Sequence, residues 1–385
     1  MNKAALVLAL TSFCALLSSC SPKADPISDS PAPIASAESA PTAPAEADFA
    51  AVGQTFQRNA QTNATQMLVL CQALQEDIER FLDAPQPDLQ LAAQTSYRLC
   101  YQSWALNQLY VQLPFTAEDK KTLVSLLDLI NTRPFLPGYI DSIPLYPYSG
   151  LIHEKDIPIG ARALLGQHRL MDEDSAALGF PVLEFFLWRL PIDGVWQLNG
   201  NADANKLIER RHQYLRLATR MLMADLSAVS ARWETGGSFG SLPVRAQLVV
   251  VLASLQRLTT VALVAELFDE QVIGEPEWHH PAMFSGAGRD YPVALLSAIE
   301  QLVGEPGSLT PFDQWFDSLV DRPVMVSELQ AAVAASLTAV QQLPENYPDD
   351  SSVDAPWLAA RQQLVALAQI FSQLSDQQQV PIFRQ

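Results

Sequence analysis

Positive charge is scarce in this sequence. Lysine and arginine number 24 against 42 aspartates and glutamates, for a net charge of −18 over 385 residues. So acidic a chain has no electrostatic grip on nucleic acid or on an anionic membrane surface, and charge excludes both as partners. Period-two runs of Val, Ile and Thr are also rare, which removes sheet architectures. Beyond the first residues no stretch offers about eighteen uninterrupted apolar residues, so no later segment reads as a membrane span. Two enzyme signatures are missing: there is no G-x-S-x-G nucleophile turn and no glycine-rich phosphate loop. Histidine occurs five times. His153-Glu154 lacks a second histidine at metalloprotease spacing, and His168 and His212 read as isolated surface positions on helices. His279-His280 is the one adjacent pair, and in a loop both rings can reach one metal.

The N-terminus sets the compartment. Lys3 precedes an apolar stretch over residues 4–17, too short for a settled span. Leu17-Ser18-Ser19-Cys20 then resembles the bacterial lipobox, in which cleavage leaves the cysteine as a lipidated first residue. Residues 1–19 are therefore expected to be a lipoprotein signal peptide, with Cys20 the membrane anchor. Ser21 follows the cysteine where an Asp would resemble an inner-membrane retention signal, so the expected location is the periplasmic face of the outer membrane. Residues 20–48 are Ala, Pro, Ser and acids, too poor in apolar surface to fold, and read as a disordered tether. At about 3 Å per residue in polyproline II it reaches on the order of 80 Å. Residues 49–385 form the folded part.

Cysteine number is four, and Cys14 leaves with the signal. With Cys20 acylated, Cys71 and Cys100 remain in an oxidising compartment. Met67, Leu70, Leu74, Ile78 and Phe81 form a helical stripe before the turn Asp83-Ala84-Pro85-Gln86-Pro87-Asp88. Tyr97, Cys100 and Trp104 form another after it. The two cysteines are equidistant from the turn, so an antiparallel helical hairpin sets them at one height and a disulfide is expected.

Helical periodicity continues near 50–83, 89–112, 117–130, 182–190, 203–234, 243–270, 291–303, 311–320, 324–342 and 355–374. In 203–234, Ile208, Leu215, Leu222, Val229, Leu226 and Trp233 make one stripe, leaving Arg210, Arg211, Arg216 and Arg220 for water or acids. The segment 243–270 is apolar on most sides and reads as a central helix in which Arg257 and Glu266 need partners. Two irregular stretches interrupt the helices: a proline- and tyrosine-rich crossover over 131–160, and 274–291, which holds Trp278, His279, His280, Phe284 and Ser285. Loops of this length tend to carry function. The pattern predicts an all-α fold of two packed helical bundles with a cleft between them.

The run from Gly179 to Trp188 is apolar but for Glu184, and a carboxylate so placed needs a partner or loses its charge. With its glycine, glutamate and following tryptophan, the run resembles the G-x-H-x-x-E segment of the imelysin-like family. Pro134-Phe135-Leu136-Pro137-Gly138-Tyr139-Ile140-Asp141 resembles the family's Trp-Pro-Leu to Tyr-Ile-Asp segment. Tyr97-Arg98 to Pro114, the Arg210-Arg211 helix and Phe284-Ser285 with Asp290 match further segments in order.

The resemblance implies helical, two-bundle envelope proteins associated with iron or haem acquisition, some of them called metallopeptidases. It places Gly179, Glu184, Trp188, Tyr139 and Asp141 at the cleft. Pro181 stands where the family has its His, and the best alignment puts Gln108 where it has a Glu. Pro181 has no donor atom and suits a first helical turn, so no catalytic residue and no cofactor are expected, although iron or another metal stays open. Arg257 is the candidate partner of Glu184. The function expected is a non-catalytic envelope lipoprotein that binds a small ligand or a protein partner on an iron-acquisition theme. The alternatives are an imelysin-type metallopeptidase and a structural, partner-tethering protein.

Overall fold

The computed structural model describes residues 46–143, 145–189, 207–234, 237–269, 280–347 and 355–380. The signal peptide, Cys20, nearly all of the tether and His279 lie outside the described residues. The chain turns helical at Glu46, three residues inside the stretch assigned to the tether.

Helix α1 (Glu46–Asp83) and helix α2 (Pro87–Asn107) form the expected hairpin. The turn between them stops one helix and starts the next, because Pro87 needs no donor in a first turn. Cys71 and Cys100 are bonded, with Cα atoms 4.7 Å apart. A short 3₁₀ turn, Gln108–Tyr110, extends α2. Helix α3 (Ala117–Asn131) is capped by the Thr116 hydroxyl, which accepts from the Asp119 N–H at 3.1 Å. The crossover contains α4 (Pro137–Ile140), and α5 (Ala161–Gln167) follows it. Both are too short to show periodicity, and the sequence reads past them.

Helices α6 (Phe180–Arg189) and α7 (Ile208–Ala231) lead to α8 (Val244–Arg257), which continues as a π-helix over Leu258–Ala265. The segment Val244–Ala265 is long and apolar enough to cross a membrane. It packs instead against α1 and the last helix, as a central core helix does. Helices α9 (Asp290–Val303), α10 (Pro311–Asp317), α11 (Val326–Gln341) and α12 (Ala355–Gln377) complete the chain. A capping box, in which Thr310 and Asp313 each satisfy the other's backbone N–H, starts α10. No strand occurs among the described residues.

Two cores result. One contains Phe56, Leu248, Leu255, Leu295, Trp315 and Trp357, from the first half of α1 and from α8 to α12. The other contains Ile78, Tyr97, Trp104, Phe180, Phe186 and Leu222, from the second half of α1, from α2 and α3, and from α6 and α7. These are the two bundles the sequence predicts, and they share α1 and α2. Where the sequence suggests a cleft, Tyr291 packs against both cores and stacks on Tyr101 at 5.4 Å.

Candidate functional site

Gly179 fixes where α6 begins. Its φ is +92°, and a Cβ there would stand 2.5 Å from the Ile130 carbonyl oxygen and 2.6 Å from that of Leu129. Only glycine lets the start of α6 come so close to the end of α3. Pro181 falls in the first turn, where its missing N–H leaves no gap. One turn later Glu184 points into the protein and is fully buried.

What meets Glu184 comes from the crossover and from the loop before α9. Its Oε1 accepts the Ser285 backbone N–H at 2.9 Å, and its Oε2 lies 3.9 Å from an Arg133 guanidinium nitrogen. That nitrogen also reaches the Tyr101 hydroxyl at 3.5 Å, and the other Nη donates to the His280 carbonyl. The Tyr101 hydroxyl donates to Asn131 Oδ1 at 3.3 Å, and that of Tyr97 to the Phe180 carbonyl at 3.2 Å. Arg98 donates to the Ser285 carbonyl while lying 5.7 Å from the centre of the Trp188 ring. Trp188 in turn packs edge-on to Tyr97 at 5.4 Å. Helix α2, the start of α6 and the loop before α9 are thus tied at Ser285 and Glu184.

Burial pushes the Glu184 carboxyl above its ordinary range, and the Arg133 charge and the Ser285 N–H oppose that rise. Burial works against the charge of Arg133, but Tyr101 and Glu184 outweigh it and hold the guanidinium above its usual value. Tyr97, Tyr101 and Tyr291 are all raised, each chiefly by burial.

The expected partner, Arg257, is corrected to Arg133. Arg257 ends α8, in the other core, and its charge acts on Glu266, where it opposes the rise of the carboxyl. Arg133 is the arginine the sequence reading missed. It is the sole arginine between Arg98 and Arg162, in a crossover that packs on α6, and that isolation was the available signal.

Tyr139 and Asp141 do not join the Glu184 cluster either, because the crossover folds onto α5 and α7. The Tyr139 hydroxyl donates to the Gln167 carbonyl at 2.7 Å. Asp141 is buried in a two-pronged pair with Arg211, at 2.6 and 3.0 Å. Burial works to raise its carboxyl, but the bonds from His153 and Arg211 bring it below its usual range. Arg210 reaches the carbonyls of Leu151, Glu154 and Ile157. Ser142 Oγ lies 2.6 Å from His153 Nε2, with Asp141 Oδ1 3.4 Å from the same nitrogen. A relay needs serine and carboxylate on opposite ring nitrogens, so this trio is a loop anchor.

Gln108 opens the 3₁₀ turn with its Nε2 buried and, among the described residues, without a hydrogen-bond partner, so it does not bond to Glu184. Of His168 and His212, both expected at the surface, His212 is buried, and His168 is half-buried as a residue with its side chain only 4% exposed. The reason at His168 is geometric: Nδ1 accepts the Ala177 N–H at 3.2 Å and Nε2 faces Thr132 and Asp128. His280 is also buried and contributes its carbonyl to Arg133.

The residues around Glu184 do not suit a metal ion. A guanidinium already stands beside the free carboxylate oxygen, and Pro181 offers no donor in the neighbouring turn. Among the described residues no three His, Cys, Asp or Glu side chains converge as a metal set.

The chain matches the family model described as imelysin over residues 60–286. No curated protein sequence matches it. Among solved structures it is similar to one from Parabacteroides distasonis described as an iron-regulated protein A precursor, at 14% identity and TM-score 0.64, covering 87% of this chain and 96% of that one. It is also similar to an imelysin-like protein from Psychrobacter arcticum, at 17% identity and TM-score 0.62, covering 88% and 98%. Identities this low show a shared fold.

Proposed function

The chain belongs to the imelysin family, and on that premise we propose that it is a non-catalytic binding protein of the bacterial envelope, anchored through Cys20. The observation that carries the non-catalytic reading is the commitment of Glu184. Its Oε1 accepts the Ser285 N–H, its Oε2 faces the Arg133 charge at 3.9 Å, and the residue at the family's histidine position is Pro181. The Arg133 guanidinium supplies, from the chain itself, the positive charge that a metal would bring to the motif carboxylate.

The ligand-binding part of the proposal rests on the junction of the cores. There Tyr101 and Tyr291 stack, Tyr291 is half-buried, and the charges of Glu266 and Arg133 act on it. An aromatic face flanked by one acid and one base suits a small polar ligand. The iron theme comes from the family and from the Parabacteroides relative, described as an iron-regulated protein A precursor.

A partner-tethering role is the second reading. The crossover, pinned by Arg210 and Arg211, holds Leu145, Tyr146 and Tyr148 out to solvent at 75%, 59% and 68% exposure.

Elemental analysis of protein purified from its own membranes, with an assay on an unstructured protein substrate, tests the proposal. The expected result is no stoichiometric zinc or iron at the motif and no cleavage. Stoichiometric metal lost on Glu184→Ala substitution, together with cleavage, refutes it. Iron-repressed expression and a small molecule retained in native mass spectrometry favour the binding reading over the tethering one.

A further inference from the structure

A second region combines features that neither the fold nor the Glu184 cluster uses. The outward face of α3 and Arg169 from the loop after α5 border an open groove of about 1010 Å³, lined by Lys120, Lys121, Val124, Leu127, Asp128 and Arg169 among others. The helical members recur every three to four residues and so share one face.

Its charge is unusual for this chain. Of six lysines in the sequence, three lie among the described residues, and two of those line this groove. Neither Lys120 nor Lys121 has a carboxylate partner among the described residues. Helix stability does not explain them, because cations near a helix N-terminus oppose the dipole. At the other end Arg169 donates to Asp128 at 2.6 Å, which neutralises the groove there. Arg169 adopts φ +56°, a conformation non-glycine residues rarely hold. The two residues after it, Leu170 and Met171, stand 58% and 75% exposed, and Val124 on the groove's face is 60% exposed. The site is thus graded, from two free cations through an apolar middle to the paired Arg169 and Asp128, over about 12 Å of helix, with Leu170 and Met171 exposed beside that end.

We propose that this groove binds a single amphiphile with an anionic head and an aliphatic tail. The head sits at Lys120 and Lys121, and the tail runs along Val124 and Leu127 toward Leu170 and Met171. A bilayer is the poorer occupant, since the surface is concave and a net charge of −18 repels anionic membranes.

Isothermal titration of the purified protein with dodecanoate, dodecyl phosphate, dodecylammonium and dodecanol, each below its micelle threshold, tests this. Saturable single-site binding of the two anions is expected, with the ammonium and the alcohol weaker by roughly tenfold or more. The carboxylate-to-phosphate preference tells a fatty acid from a phospholipid as the source of the head. Lys120→Glu with Lys121→Glu should lose roughly tenfold or more in affinity for both anions, and Lys→Arg at both positions should keep it. Val124→Asp should weaken binding with an unchanged melting temperature. No saturable anion binding, equal binding of the ammonium, or an unchanged charge-reversal variant would overturn the proposal. So would binding seen only with anionic vesicles and not with monomers.

Discussion

The Arg133 guanidinium stands 3.9 Å from the Glu184 carboxylate inside the protein, and Glu184 Oε2 and Arg133 Nε both lack hydrogen-bond partners among the described residues. A charge pair held so loosely is poorly compensated for its desolvation. Removing one partner should still cost more than keeping both. Arg133→Met is expected to lower stability at neutral pH by about 3 kcal/mol, since it leaves a buried carboxylate without a cation. Glu184 is already raised by burial, and without Arg133 it rises further. A raised carboxyl costs stability above its folded pKa, and that cost fades as pH falls toward the unfolded value. The deficit of the variant in urea melts should therefore shrink on acidification through the carboxylate range. A deficit independent of pH would sink this account.

His168 supplies a second pH signature. Burial lowers its pKa, with Asp128 opposing and the neighbouring Arg169 adding to the fall. Its Nδ1 must stay unprotonated to accept the Ala177 N–H. The unfolded chain takes up a proton near pH 6.5 while the folded one resists, so stability is full above that pH and is lost as pH falls below it. His168→Gln should flatten the stability profile between about pH 7 and 5. His212 is shifted in the same direction by burial, so some slope should remain.

Gly179→Ala should destabilise by about 2–3 kcal/mol or more, from a left-handed backbone and a Cβ aimed at two carbonyl oxygens of α3. Chemical denaturation reads the loss directly. A neutral outcome would mean that α6 can withdraw from α3.

The Cys71–Cys100 bridge closes a separation of 29 residues between buried helix faces. Replacing both cysteines with serine should cost about 3 kcal/mol through the freer unfolded chain. The melting temperature under non-reducing conditions, compared with that of the native protein, measures it.

Much of the fold was legible because its signals are periodic. The stripes through Met67 and Ile78, through Leu215 and Leu222, and through Trp357 and Phe371 each repeat at helical spacing, and all are buried. The disulfide followed from equal distance to a proline turn. The partner of Glu184 was not legible, since pairing across 51 residues depends on how the crossover folds, and no periodicity records that. Arg257 drew attention by lying in an apolar helix, but that helix belongs to the other core. The burial of His168 was hidden for a similar reason: it depends on Ala177 and Asp128 arriving from two directions.

Helices α1 and α2 run without a break through both cores, and α1 alone spans about 57 Å. Among the described residues, two of the connections between the halves of the molecule are therefore continuous helix, which does not bend as a loop does. Opening the junction at Tyr291 by a jaw-like movement would require snapping two continuous helices, one of them cross-linked to the other. Whatever enters there must be admitted by rotating side chains, and its uptake should follow the rapid tempo of ring flips, not the slow tempo of domain closure.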